Sequence, residues 1–200
     1  RFDAMIAHLK ALPASQIVLL HACCHNPTGA DLSEAQWAEV VEVCKARNLV
    51  PFLDMAYQGF ADGIDQDAVA VRQFVQSGLS FVISSSFSKS FSLYGERVGA
   101  LSIVTASKDE SARVLSQLKR TIRTNYSNPP THGGAVVASV LATPELRSMW
   151  EVELGEMRER IRAMRTGLVD KLSARGVARD FSFVVRQRGN GFAADDGFEL

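Results

Sequence analysis

Three short apolar runs in the first half of the chain each stop at a cluster of polar side chains able to bind a ligand. Residues 16–22 (Gln-Ile-Val-Leu-Leu-His-Ala) lead into His25-Asn26-Pro27-Thr28-Gly29. Residues 49–53 (Leu-Val-Pro-Phe-Leu) lead into Asp54-Met55-Ala56-Tyr57, and residues 80–85 lead into Ser86-Phe87-Ser88-Lys89. Runs of this length, bounded by turn residues, read as buried strands. Helical patterns separate them, over about 33–47 and 67–77. Asp31 or Ser33 is placed to cap the first of these. Strand–helix–strand order predicts an α/β layer fold with a largely parallel sheet. In such a sheet ligands sit beyond the carboxyl ends of the strands. Loops 25–29, 54–57 and 84–89 are therefore expected to meet at one rim. Pro51 is compatible with a strand only at its start.

Residues 98–104 give a fourth strand. Helices are then expected over about 107–123, 131–141 and 145–175. The last of these carries charge pairs four residues apart, such as Glu156–Arg160, which suit a partly exposed face. Residues 181–187 alternate in the manner of a strand after a turn at Gly176. The stretch Asn190–Leu200 is rich in Gly and Asp and reads as loop.

Apolar residues make up 46% of the chain and the formal net charge is zero. A packed core follows, and neither a nucleic-acid nor a membrane-surface partner is indicated. No apolar run reaches the roughly 20 residues of a spanning helix, and no signal peptide is evident. Cys23, Cys24 and Cys44 are three in number and two are adjacent. That is a poor disulfide framework, so a reducing, cytoplasmic setting is expected. The chain opens Arg1-Phe2-Asp3 without Met, which reads as a partial sequence.

Lys89 has the setting of a Schiff-base lysine: small hydroxyl neighbours beyond an apolar strand, with a cation, Arg97, further along. The alternative is a surface lysine in a loop. Ser86 and Lys89 also fit the Ser-x-x-Lys pattern of penicillin-binding hydrolases, but the companion Ser-Asp-Asn and Lys-Thr-Gly elements do not occur. Asp54 could pair with a pyridinium N–H or cap a helix. Tyr57 could offer its hydroxyl to the same ligand or fill the core. Asn26 could donate to a phenolate-like oxygen or simply form a turn, and the Asn26–Pro27 bond is a candidate for cis. Ser86, Ser88 and Arg97 could grip a phosphate. Arg123 is either a favourable cation at a helix C-terminus or a clamp for a carboxylate. His21, Cys23, Cys24 and His25 lack the spacing of a zinc clamp, and no metal site is expected.

Taken together, five segments resemble the aspartate/aromatic aminotransferases of the class I pyridoxal-phosphate enzymes. They are His21–Gly29, Asp54–Gly59, Ser85–Lys89, Gly95–Gly99 and Asn125–Pro130, in that order. The resemblance runs from about residue 1 to 189 and implies a truncated fold-type I large domain followed by the start of the small domain. It implies residues 1–143 as the C-terminal part of the cofactor-binding domain, 144–175 as the interdomain helix, and 176–200 as the small-domain start with an atypical tail. By the same resemblance Lys89 holds pyridoxal 5'-phosphate and shuttles a proton, and Asp54 pairs with its ring nitrogen. Asn26 and Tyr57 serve its ring oxygen, and Ser86 and Arg97 its phosphate. Asn26 and Arg123 are implied to contact substrate, Arg123 from across a homodimer whose crossing loop also holds Asn128. Phe87 stands where many relatives carry Tyr. The implied reaction moves an amino group from aspartate or an aromatic amino acid to a 2-oxo acid such as 2-oxoglutarate. Family segments before residue 1 and after residue 189 supply further pocket groups. A second expectation is therefore an inert remnant that keeps the sheet but cannot turn over.

Overall fold

The side chains of β2 explain the sheet best. In this strand, Val50–Met55, burial alternates: Pro51, Leu53 and Met55 are buried, while Val50, Phe52 and Asp54 are half-buried. One face is thus committed to the core and the other is more open. The computed structural model describes residues 1–189; the expected loop at 190–200 lies outside them. Strand β1 (Ile17–His21) pairs parallel with β2, and β2 pairs parallel with β3 (Phe81–Ser86). Strand β4 (Gly99–Val104) closes the order β1-β2-β3-β4 and is antiparallel to β3. The expected α/β architecture with a mostly parallel sheet is what forms. Pro51 is the second residue of β2, early enough in the strand for its missing N–H to be tolerated.

Helices α1 (Phe2–Ala11), α2 (Glu34–Ala46) and α3 (Val69–Ser77, after a 3₁₀ turn at Gln66–Ala68) supply much of the core. Trp37 on α2 meets Phe74 on α3 edge-on at 6.5 Å, and Phe74 packs on Phe81 of β3 at 5.5 Å. Leu53 and Phe74 are fully buried; each such apolar side chain contributes about 1.5–3 kcal/mol. Ser33 caps α2 through a reciprocal box with Gln36. Helix α1 was not anticipated from sequence, although Phe2, Met5, Ile6 and Leu9 have helical spacing and Ile6 and Leu9 are buried.

Three helices follow β4: α4 (Lys108–Asn125), α5 (Thr131–Ala142) and α6 (Pro144–Ala174). With 31 residues, α6 runs roughly 45 Å. It touches the core through Leu154, which is 1% exposed. Residues 181–187 correct the sequence reading. They form a short helix, α7 (Ser182–Arg186), and not a strand. The alternation of Phe181, Phe183 and Val185 missed Val184, which is fully buried beside buried Phe183. Adjacent buried residues suit a helical turn. Asp180 anchors its start by accepting from the Ser182 N–H and hydroxyl, and Arg165 of α6 donates to the Val184 carbonyl.

Candidate active site

Parallel register sets the site. His21 pairs with Asp54, and Asp54 with Ser84. Paired residues share a face, so a polar row crosses the strand ends on the more open side of the sheet. The loops after β1, β2 and β3 leave from this one rim, as the sequence predicted.

The β1 loop folds around its own polar groups. The Ala22 N–H continues the ladder to the Asp54 carbonyl. Asp31 then accepts from the N–H groups of Cys24 and His25, at 2.7 and 2.8 Å. Asp31 therefore braces this loop, while Ser33 is the helix cap. Asn26 donates its backbone N–H to His21 Nδ1 at 3.1 Å. The Asn26–Pro27 bond is cis. The Asn26 side chain extends to the Tyr57 hydroxyl, with Nδ2 donating at 3.4 Å.

Tyr57 in turn lies under Lys89, whose Nζ stands 4.8 Å from the ring centroid. An ammonium over a phenol face gains electrostatic attraction. Asp54 Oδ1 accepts the Ala56 N–H at 2.9 Å, which fixes the carboxylate without neutralising it. The fold thus gathers four of the expected site residues: Asn26, Tyr57 and Lys89 in direct contact, and Asp54 at the head of the same loop as Tyr57. Ser86 ends β3 opposite Gly99, and its hydroxyl accepts the Ser88 N–H at 3.2 Å. That bond gives the Ser-x-x-Lys hydrolase reading no support. Arg97 sits at the same rim just before β4, exposed, with Nη1 donating to the Tyr94 carbonyl at 3.0 Å. Arg123 is exposed near the end of α4 and donates to the Ser127 hydroxyl. Among the described residues, no hydrogen bond or ion pair joins it to the other site residues.

The donor set fits a pyridine-type aldehyde phosphate. It offers an amine to bond the aldehyde, a carboxylate for a ring N–H, an amide and a phenol for a ring oxygen, and a hydroxyl and guanidinium for a phosphate.

Several supporting residues were missed from sequence. Asp67 is a buried carboxylate, 4% exposed. It accepts from the N–H groups of Gly59, Ala61 and Asp62 and so ties down the loop that carries Tyr57. The carbonyls of that loop are held from α6, Gly59 by Arg158 and Ala61 by Arg162. Nothing in the local sequence marks Asp67, because its partners lie five to eight residues back. His21 has no individual role in the sequence reading beyond the rejected zinc clamp; its position two residues after Leu19 on the open face was the available signal. Among the described residues, Cys23, Cys24 and Asp67 are close enough to share a cation. Both Asp67 oxygens are already engaged by backbone, however. The Cys24 side chain and burial push the Cys23 thiol well up, and burial pushes Cys44 up to about 11. These are the features of inert, structural thiols. Burial, with His21 beside it, holds His25 below its usual value.

Residues 1–194 match the family model for aminotransferase class I and II. An aspartate aminotransferase from Pseudomonas aeruginosa is 68% identical over 195 residues, which is 96% of this chain and 49% of that protein. An aromatic-amino-acid aminotransferase from Escherichia coli is 54% identical over 189 residues, covering 94% of this chain and 48% of that one. The crystal structure of an aromatic-amino-acid aminotransferase from Burkholderia pseudomallei, covalently bound to pyridoxal phosphate, superposes with a TM-score of 0.94. It is 70% identical and covers 94% of this chain and 47% of its own. The chain spans about half the length of the curated relatives it matches.

Proposed function

Because this chain belongs to the class I and II aminotransferases, we propose that it forms the lysine-bearing half of a pyridoxal 5'-phosphate site for amino-group transfer. The donors are aspartate or an aromatic amino acid, and the acceptor is a 2-oxo acid such as 2-oxoglutarate. The observation that carries the proposal is the Asn26–Tyr57–Lys89 contact chain at the strand ends, with Asp54 at its base. When bound, the cofactor supplies an electron sink for the substrate's Cα bonds.

The chain's own residues bind, orient and move protons. Lys89 Nζ would bond the cofactor's aldehyde and would be the base that holds the proton moved in amino-group transfer. Asp54, fixed by the Ala56 N–H, keeps a negative charge where a ring N–H needs one. Asn26 Nδ2 and the Tyr57 hydroxyl serve the ring oxygen. The Ser86 hydroxyl and the Arg97 guanidinium serve the phosphate. Among the described residues, Arg97 is held by one carbonyl of its own loop, that of Tyr94, and is exposed, so it can turn to an anion. Arg123 is the candidate clamp for a distal carboxylate. Its place away from the other site residues agrees with a role in the partner site of a homodimer.

We assign residues 1–143 to the cofactor domain, 144–175 to the connecting helix and 176–200 to the start of a second domain. We propose a cytoplasmic setting on the free thiols of Cys23, Cys24 and Cys44. No helix among the described residues is long and apolar enough to cross a membrane.

The test is capture. The purified chain is mixed with pyridoxal phosphate, reduced with borohydride and mapped by peptide mass. Label concentrated at Lys89, and lost in Lys89→Ala without redistribution, is the expected result. Even labelling of all lysines would overturn the proposal. Capture at Lys89 without transamination would identify the chain as a binding half that lacks turnover.

A further inference from the structure

The loop that carries Lys89 is short and tightly turned. The Phe87 N–H bonds the Val98 carbonyl, the Phe91 N–H bonds the Phe87 carbonyl, and the Ser92 N–H bonds the Lys89 carbonyl. Ser88 and Ser90, on either side of Lys89, are both buried. This leaves the Ser90 carbonyl, one residue past the lysine, to be satisfied from outside the turn. Its partner is the indole N–H of Trp150 on α6, at 2.7 Å across 60 residues of sequence. The same indole stacks on Phe91 with centroids 4.5 Å apart and planes 20° from parallel. Phe91 in turn meets Phe87 edge-on at 5.5 Å. One side chain of α6 therefore grips the Lys89 turn twice, once by its backbone and once by its aromatic flank.

The same helix holds the facing loop. Two turns further along, Arg158 Nη1 donates to the Gly59 carbonyl at 2.8 Å, two residues after Tyr57. Lys89 and Tyr57 are the two residues whose separation, 4.8 Å from Nζ to ring centroid, sets the geometry of the site. Both are thus tied to one continuous helix. The rise of about 1.5 Å per residue in an α-helix fixes the spacing of its residues, and reaction rates fall steeply when a nucleophile is misplaced by about an ångström.

We propose that Trp150 is a positioning residue for Lys89, and that α6 acts through Trp150 and Arg158 to set the distance between the lysine and the Tyr57 loop. Trp150 touches neither substrate nor cofactor in this role. It acts by holding the Ser90 carbonyl and the Phe91 ring, so that the amine is presented at one place on the rim. The proposal rests on the reading of Lys89 as the aldehyde-binding lysine.

The experiment follows the rate and pH profile of pyridoxal phosphate capture at Lys89, read by reduction and peptide mass, with Lys45, exposed in the last turn of α2, as an internal reference. Three proteins are compared: the unchanged chain, Trp150→Phe, which keeps a stacking ring but has no N–H, and Trp37→Phe, which alters the other indole in the α2 core. Unfolding midpoints and near-ultraviolet circular dichroism are recorded for each. Trp150→Phe is expected to slow capture at Lys89 by roughly tenfold or more and to displace its pH profile, with labelling of Lys45 unchanged. Trp37→Phe is expected to lower the unfolding midpoint and leave Lys89 capture alone. Equal Lys89 capture in Trp150→Phe and the unchanged chain, with the variant folded, would overturn the positioning role. Equal loss in both variants, in step with their unfolding midpoints, would overturn it too by reducing it to general stability. Failure of the unchanged chain to label Lys89 preferentially would instead refute the underlying reading of the lysine.

Discussion

Asp67→Ala is the substitution whose consequences the structure specifies most fully. The carboxylate is buried, and it accepts three backbone N–H groups: Gly59 at 2.8 Å, Ala61 at 3.0 Å and Asp62 at 2.8 Å. Two of these bonds are buried and one is partly buried. A buried donor left without a partner costs about 1–3 kcal/mol. Two such donors, with the third able to find water, give an expected loss of about 2–6 kcal/mol. Set against a total stability of about 5–15 kcal/mol for a domain, that loss is large. Asp67→Asn should be milder. The amide keeps one acceptor oxygen but turns an NH₂ group toward at least one N–H, so roughly half the loss is expected. The assay is urea unfolding of the three proteins. The damage is also directed, because the released segment begins two residues after Tyr57. Both variants should therefore lower capture of pyridoxal phosphate at Lys89 under conditions where they remain folded. An Asp67→Ala stability within about 0.5 kcal/mol of the parent, the range of neutral surface changes, would refute the account of this loop.

Three further outcomes follow from the same geometry. Gly189 has φ +64°, and a Cβ there would lie 2.4 Å from Cys24 Cβ and 2.7 Å from its sulfur; Gly189→Ala should cost at least about 1–2 kcal/mol from backbone strain alone and should speed reaction of buried Cys24 with a thiol reagent. Unchanged thiol kinetics would show that the 24–189 contact is not made in solution. Burial and His21 lower the His25 pKa from 6.5, only partly offset by Asp31. A folded-state value below the unfolded one means that this contribution to stability is present above about pH 6.5 and is lost as pH falls through the folded value. His25→Asn should therefore flatten the fall in urea midpoint between about pH 7.5 and pH 5.5, and an identical slope in the variant would refute it. Leu53, fully buried in the central strand β2, should cost about 2–5 kcal/mol on truncation to Ala, measured by the same unfolding assay.

The sequence by itself determined the layer order and the rim. Apolar runs at 16–22, 49–53 and 80–85 with helices between them could close only as a mostly parallel sheet, because each crossover returns the chain to the same edge. The convergence of Asn26, Asp54, Tyr57 and Lys89 on one rim was legible for that reason, since each lies at or just past a strand's carboxyl end; their roles came only from the family resemblance. Helix α7 was not legible, since a five-residue segment (Ser182–Arg186) carries too little periodicity to separate a strand from a helical turn. Its form follows from Asp180 accepting the Ser182 N–H and from Arg165 reaching the Val184 carbonyl. Nor could sequence assign Asp67, Arg158 or Trp150 to the site. Their partners are backbone N–H and carbonyl groups, which are the same at every position and leave no mark in the residue pattern. Only the tertiary structure decides which of those identical groups a buried carboxylate or an indole N–H will meet, because burial obliges each polar group to find a partner and the packing of α6 against the rim determines which one is within reach.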